Sequence, residues 1–551
     1  MSFTVIQPRR NTAAGAAASN PIMAVGERGF ETDTRKWKTG DGTTTWNNLP
    51  YDADMSDIAI RSKQRVQLAD NCIGRGRNAA VTNVGTYRFA HKIGVAGTDI
   101  QLGFGSWYTN YPTTPTIDVD PSGTVTFSAA FEDASGNVYR CTFGGVASVV
   151  LPGGGFVLSD PLPIDVAVGD IVWVRVYISA GTGYSNRGTG LSSVGGYTAT
   201  TDLTTSGAGA VGTTLALNGL DAMCILGTPT GAGRPKAVVI QGDSIAAGIG
   251  DGAFVGYDIG YLPQVAANLY YCGGGWVQRA LSGNAGSIMV AQQGDSIGNY
   301  VAGVGHFRRG AMVRFSKYAV VEYGRNDLTA LQTPATIQAN LLTQAKRNVD
   351  KGLYGSIVVT LTPYTTSTDV FATSTNQTTV SSTGEGYRVT HNAWVRAGCP
   401  IVAGAAVAPG TSGALLAGQS GHPILGYVDV AAAVESATNS GLWKAANRVV
   451  TDAAISSGSG TLTSATAAFT SADLGRDVNM AGAGAAGAVL TGVITTINSG
   501  TSVTITTQAG TTVSGARCAI APYTTDGLHP SVVAHAAIAA ATQAPLLALL
   551  V

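Results

Sequence analysis

Three short runs of purely apolar residues, with helix-forming sequence between them, constrain this chain more than any other feature. Ala237-Val238-Val239-Ile240, Ala319-Val320-Val321 and Ile357-Val358-Val359 carry no polar residue on either face. A strand wetted on one side alternates, whereas a strand apolar on both sides must be covered on both sides. Between the second and third runs, Pro334 to Lys351 places Ile337, Leu341, Leu342, Ala345 and Val349 at helical spacing, with Gly352 as a stop. Strands alternating with helices predict a parallel, doubly wound sheet from about residue 233 onward. In such sheets ligands sit beyond the carboxyl ends of the strands, so the residues just after each run are where chemistry belongs.

Those residues are polar and specific. Gly242-Asp243-Ser244 follows the first run, and Gly324-Arg325-Asn326-Asp327 follows Val320-Val321-Glu322-Tyr323. A further run, Ile288-Met289-Val290-Ala291, precedes a second Gly-Asp-Ser at Gly294-Asp295-Ser296. Near the end stands Asp526-Gly527-Leu528-His529-Pro530. A serine hydroxyl is a poor nucleophile until a base removes its proton. His529 is the candidate base, because Asp526 on the same loop is spaced to accept from one ring nitrogen while the other faces serine. Pro530 and the apolar run after it predict a helix starting just behind the histidine.

This ordered set resembles the SGNH (GDSL-type) esterases, over residues 233–448 and 522–551. The resemblance implies a flavodoxin-like three-layer α/β/α domain and a carboxylic ester hydrolase, with acetyl as the acyl group by family habit. It makes Ser244, His529 and Asp526 the catalytic triad. It assigns the oxyanion hole to the Ser244 N–H, the Gly294 N–H and the Asn326 side-chain amide, with Asp243, Gly324 and Asp327 in support. Ser296 is rejected as nucleophile, since the family places its oxyanion glycine after that strand. Gly283, in Leu281-Ser282-Gly283-Asn284, is the alternative to Gly294. The chemistry requires no cofactor and no metal.

The remaining segments read differently. In residues 1–58, alternation across Arg35 to Lys38 followed by Asp41-Gly42 predicts a β-hairpin. The stretch from Gly26 to Tyr51, with Trp37 and Trp46, resembles the short β-module near the start of many phage tail-fibre and receptor-binding proteins. That likeness implies a virion-attachment or oligomerisation module, phage tail or baseplate proteins as partners, and a homotrimer. Residues 59–232 alternate at Thr124–Ala129 and Asp170–Tyr177 between glycine-rich breaks, predicting a β-sandwich or jelly roll. Its Trp107, Tyr108 and Tyr111 are either core or a surface for stacking on sugar. Thr200 to Leu217 reads as a loop or linker. Residues 449–521, rich in Thr, Ser, Ala and Gly, read as a small β-domain inserted before the Asp-His loop.

Composition narrows the function classes. At 551 residues the chain predicts about three or four domains. Lys+Arg and Asp+Glu are both 33, which gives no reason to expect nucleic acid or an anionic membrane as partner. The six cysteines are scattered singly, against a zinc site or a disulfide framework. The first residues lack a basic-then-apolar secretory pattern. Ala534 to Val551 is interrupted by His535, Gln543 and Pro545 and reads as a packed terminal helix, not a membrane span. His91, His306, His391 and His422 have no ligand-spaced partners, and Gly74-Arg75-Gly76-Arg77 lacks the strand-to-helix context of a phosphate loop. The leading expectation is a phage tail fibre, located in the virion, whose esterase removes O-acetyl groups from a host surface polysaccharide. The alternatives are a receptor-binding fibre without relevant catalysis and a bacterial secreted carbohydrate esterase.

Overall fold

The structure is a computed structural model that describes residues 9–25, 27–33, 37–49, 65–72, 80–81, 84–110, 117–184, 195–212, 220–251, 274–303 and 305–551. It contains two compact units, Met1–Arg65 and Val66–Val551.

In the first unit, Arg9–Asn11 pairs in parallel with Arg28–Glu31, which pairs antiparallel with Trp37–Thr39. Its core is Ala16, Met23, Trp46 and Leu49. The hairpin differs from the sequence expectation. Its strands are Arg28–Glu31 and Trp37–Thr39, Arg35 lies outside the described residues, and Asp41-Gly42 follows the second strand instead of joining the two. Asp41 instead closes a separate turn, its Oδ1 accepting from the N–H groups of Thr43 and Thr44. An aspartate that binds backbone two and three residues on builds such a turn without flanking strands.

In the second unit, six parallel strands form one sheet, numbered here in chain order. They are β1 (Asp70–Cys72), β2 (Ala237–Gly242), β3 (Gly286–Met289), β4 (Tyr318–Glu322), β5 (Gly355–Val359) and β6 (Ile424–Val428). The spatial order is β6-β5-β4-β2-β3-β1. Val239, Ile288, Ala319, Val321 and Val358 pack on one face with Ile337, Leu341, Trp394 and Val395. These last four come from the helices Pro334–Asp350 and Ser382–Arg396. Val238, Ile240, Met289, Val320 and Ile357 pack on the other face with Trp276, Val430, Ala534 and Ile538. Both faces are therefore dry, which is why the strands carry no alternation. The helix Pro334–Asp350 begins where Thr333 caps Thr336 N–H and Pro334 occupies the first turn.

Ahead of this sheet lies a two-sheet sandwich. One sheet runs Val138–Arg140, Thr124–Glu132, Ile171–Gly181, Gly85–Lys92, Gly195–Ala199, and the other Phe156–Leu158, Gly97–Gly105, Cys224–Pro229, Val66–Gln67. Phe104 and Phe127 meet between them, with ring centroids 5.0 Å apart. Residue 232 is not a clean boundary, because β1 belongs to the parallel sheet and pairs with β3. Asp-Asn-Cys is too short and polar to announce itself, but it covers an edge that would otherwise stand open. Trp107 is 3% exposed and packs in the core. Tyr108 is half-buried, and Tyr111 lies outside the described residues. Trp107 is thus excluded as a sugar platform. The described part of the 200–217 segment, residues 200–212, contains no strand or helix. Gly74 to Arg77 lie outside the described residues.

Between β6 and the last helix, six strands close a barrel from Arg448 to Ile520. The terminal helix is Val532–Ala548, and no described helix is long and apolar enough to cross a membrane. Cys141, Cys224, Cys399 and Cys518 are free and buried.

Candidate active site

The carboxyl ends of β2, β3 and β4 bring three loops together. Gly242 lies beside Glu322 in register, and Gln292 N–H donates to Gly242 O at 3.0 Å, so the loop after β3 runs along the loop after β2. After β2 the chain turns at once into a helical turn, in which Ala247 N–H reaches Asp243 O and Ile249 N–H reaches Ser244 O. Ser244 stands at its start, 8% exposed. The first N–H groups of such a turn have no partner within it. The N–H of Ser244 meets no protein acceptor among the described residues.

The loop ending at Pro530 carries the base. Asp526 Oδ1 accepts from the N–H groups of Leu528 and His529 at 2.8 Å each, and Oδ2 accepts from His529 Nδ1 at 2.6 Å. With Nδ1 protonated, Nε2 is the acceptor that faces Ser244 Oγ at 2.9 Å. Burial alone would raise the Asp526 carboxyl, but the hydrogen bonds and charge of His529 outweigh it and hold the group below its ordinary value. Trp443 Nε1 and Thr365 N–H both donate to Gly527 O at 2.9 Å, fixing the loop from below. Gly527 has φ +83°, and a Cβ there would lie 1.8 Å from Thr365 O, so only glycine fits.

Asn326 lies in the short helix Arg325–Thr329 that follows β4. Its Nδ2 donates to Asp295 O at 2.7 Å, which puts the amide against the turn containing Gly294. Gly294 has φ +72°, and its N–H meets no protein acceptor among the described residues. Gly283 precedes β3 instead of following it and abuts Lys92, at the end of the strand away from Ser244. That position removes it as an oxyanion donor to Ser244. Ser296 is engaged elsewhere, its Oγ accepting from Asn299 N–H as the cap of the helix Ile297–Ala302. Asp327 accepts from the N–H groups of Ile297 and Gly298 at 3.1 Å each, tying the loop after β4 to that same helix.

Beneath the serine lie two carboxylates. Asp243 accepts from Ile245 N–H at 2.9 Å, and burial pushes its carboxyl up to about 7. Glu322 takes Trp276 Nε1 on both oxygens and is raised by burial and by Asp243. His535 accepts from Trp276 N–H, and its other nitrogen bonds Ile249 O. Burial depresses it to about 4, so it stays neutral. Sequence reasoning missed Trp276, Glu322, Trp443 and His535, which support the turn through contacts far apart in the chain and belong to no local pattern. His91, His306 and His422 each bond carbonyl or carboxylate oxygens in the interior. Among the described residues no cluster of His, Cys, Asp or Glu is placed to hold a metal.

A nucleophile hydrogen-bonded to an imidazole, which is in turn oriented by a carboxylate, can carry acyl transfer. No known family profile matches the chain, and no curated protein matches it. Among solved structures, an alpha/beta hydrolase enzyme from the metagenome of Lake Arreo, Spain, is 20% identical over 23% of this chain, with a TM-score of 0.16. This chain spans 60% of that protein's length. A family two carbohydrate esterase from Clostridium thermocellum is 12% identical, covers 54% of this chain and 77% of its own, and has a TM-score of 0.19. A peptidoglycan O-acetylesterase is 9% identical, covers 63% and 77%, and also has a TM-score of 0.19. Likenesses this partial decide neither fold nor activity.

Proposed function

We propose that this chain is a serine esterase of the SGNH type, built on a flavodoxin-like three-layer domain, that removes acetyl groups from a host surface polysaccharide. The observation that carries the reading is the relay from Asp526 through His529 to Ser244, with contacts of 2.6 and 2.9 Å. The strand order, with β2 to β6 arranged 6-5-4-2-3, supports the fold, since it is the doubly wound order whose switch point lies between β2 and β4. Ser244 and Asn326 follow those two strands.

The steps follow from the groups present. His529 Nε2 takes the Ser244 proton as Oγ attacks the acetyl carbonyl. The negative charge on the former carbonyl oxygen is met by the Ser244 N–H, the Gly294 N–H and the Asn326 amide. The C–O bond to the sugar breaks, and the sugar oxygen leaves with the proton from His529. Water, deprotonated by the same nitrogen, then attacks the acetyl-serine and releases acetate and free Ser244. Asp526 holds the imidazolium through both halves. His529 and Asp526 side chains are 18% and 49% exposed, an open setting that suits a bulky polymeric alcohol.

The amino-terminal likeness extends the proposal to location. The chain is a phage tail fibre or receptor-binding protein, assembled as a homotrimer on tail or baseplate proteins and acting at the host surface. Acetate release from purified host polysaccharide tests the activity; it is expected with wild type and absent with Ser244→Ala. Mass spectrometry of purified virions tests the location. Acetylated polysaccharide left untouched by wild type would sink the substrate, and absence from virions would sink the location.

A further inference from the structure

We infer that Asp118, on a two-stranded ribbon between sandwich strands in the chain, is a positioning residue for the oxyanion side of the site, acting through Arg309 and Asp295. The inference rests on the esterase reading of Gly294 and Asn326 given above.

Asp118 lies in the strand Ile117–Val119. Its Oδ1 accepts from Arg309 Nε at 2.6 Å, and its Oδ2 accepts from the N–H groups of Arg308 and Arg309 at 3.0 Å each. One carboxylate thus holds both the start of the helix Phe307–Met312 and the guanidinium within it. Arg309 Nη1 continues to Asp295 Oδ2 and to Val290 O, both at 3.3 Å. The side chains of Asp118, Arg309 and Asp295 are all 0% exposed. Asp295 also takes His306 Nε2 at 3.0 Å and Tyr323 Oη at 3.2 Å. Its backbone carbonyl is the acceptor that fixes Asn326 Nδ2, and its neighbour is Gly294.

The chain of contacts therefore runs from the ribbon strand Ile117–Val119 to both loop-borne donors of the hole. Among the described residues, Arg309 Nη2 has no hydrogen-bond partner, so the guanidinium is held through Nε and Nη1. The guanidinium is shared between two carboxylates. If one loses its charge, the cation is drawn towards the other, and the turn Gln292–Ser296 shifts with it. A buried ion pair is little screened by solvent, so the response is not blunted by salt. Displacing a catalytic donor by about 1 Å costs on the order of 100-fold in rate.

A merely structural interface pair would change stability and leave turnover per folded molecule alone. Asp118→Asn keeps the shape and removes the charge. With aryl acetate as probe, kcat is expected to fall about 10- to 100-fold while KM stays within about twofold. In an Asn326→Ala background the same substitution is expected to cost clearly less than in wild type, since one of the two donors it displaces is already gone. Equal losses in both backgrounds, or an unchanged kcat, would overturn the inference. Should Asp118→Asn fail to fold, Arg309→Lys keeps the charge but removes the fork, and the same kcat-only loss is expected; an unchanged kcat there is equally decisive against it. Amide exchange over Val290–Asn299 supplies a readout independent of turnover and is expected to quicken in the variant. If wild type cleaves no ester, the esterase reading fails by itself, and unchanged exchange over that segment would separately refute the role of Asp118.

Discussion

Asp526 accepts four hydrogen bonds with two oxygens, from Thr524 Oγ1, the N–H groups of Leu528 and His529, and His529 Nδ1, and each needs a lone pair that only the ionised carboxylate offers in full. An amide at this position would turn a donor towards either His529 Nδ1 or the backbone. Asp526→Asn is therefore expected to invert the imidazole tautomer and lower kcat by about 10⁴-fold, with the fold intact by circular dichroism. Asn326→Ala is expected to cost about 100- to 1000-fold in kcat, the loss typical of one oxyanion donor. A loss confined to KM in either variant would contradict these roles. The depressed Asp526 carboxyl also has a pH sign. Its stabilising contribution is present above the unfolded value, near 3.9, and fades only as pH falls through the lower folded value. At this scale the triad and Asn326 were legible, because each follows an apolar run or shares one loop with its partner. Asp118 and Arg309 were not. They stand 191 positions apart, and a buried pair across such a gap leaves no periodic trace.

Elements were legible where their local signals agreed. The helix Pro334–Asp350 has a threonine cap, a proline in its first turn and a glycine after its end. The barrel was legible only as strands, since closure depends on pairing Arg448–Ile520 at its two extremes, and nothing local encodes that. Its placement matters to the site. Asn479 Nδ2 donates to Thr525 O at 3.3 Å, beside Asp526, and Asp477 Oδ2 accepts from Val532 N–H at 3.0 Å, just past His529. Burial pushes the Asp477 carboxyl up to about 7. Between about pH 4 and 7 the folded protein keeps this proton while the unfolded chain has lost it, so stability falls as pH rises through that window. Asp477→Asn removes the penalty and is expected to be more stable than wild type at pH 8 by roughly 2–4 kcal/mol, with a smaller gain at pH 5. Urea midpoints at the two values check this; an equal gain at both would mean the carboxyl is ionised throughout.

For the whole molecule, the parallel sheet supplies the reacting groups and the two β-modules of the second unit hold their loops. A two-stranded ribbon of the sandwich segment reaches the turn after β3 through Asp118, and the barrel reaches the Asp-His loop through Asp477 and Asn479. This division was invisible in the sequence, where the modules read as separate segments. The edge strand β1 shows why. A three-residue polar stretch in the sandwich segment completes the sheet of another, and composition cannot reveal such sharing.

The central claim is that Ser244, and not the serine of the second Gly-Asp-Ser, is the nucleophile. Hydrolysis of p-nitrophenyl acetate by wild type, Ser244→Ala and Ser296→Ala tests it most directly. Turnover is expected to vanish in Ser244→Ala. In Ser296→Ala it is expected to persist, with a loss of about 1 kcal/mol in stability from the missing helix cap. Turnover that survives in Ser244→Ala, or disappears only in Ser296→Ala, would contradict the account.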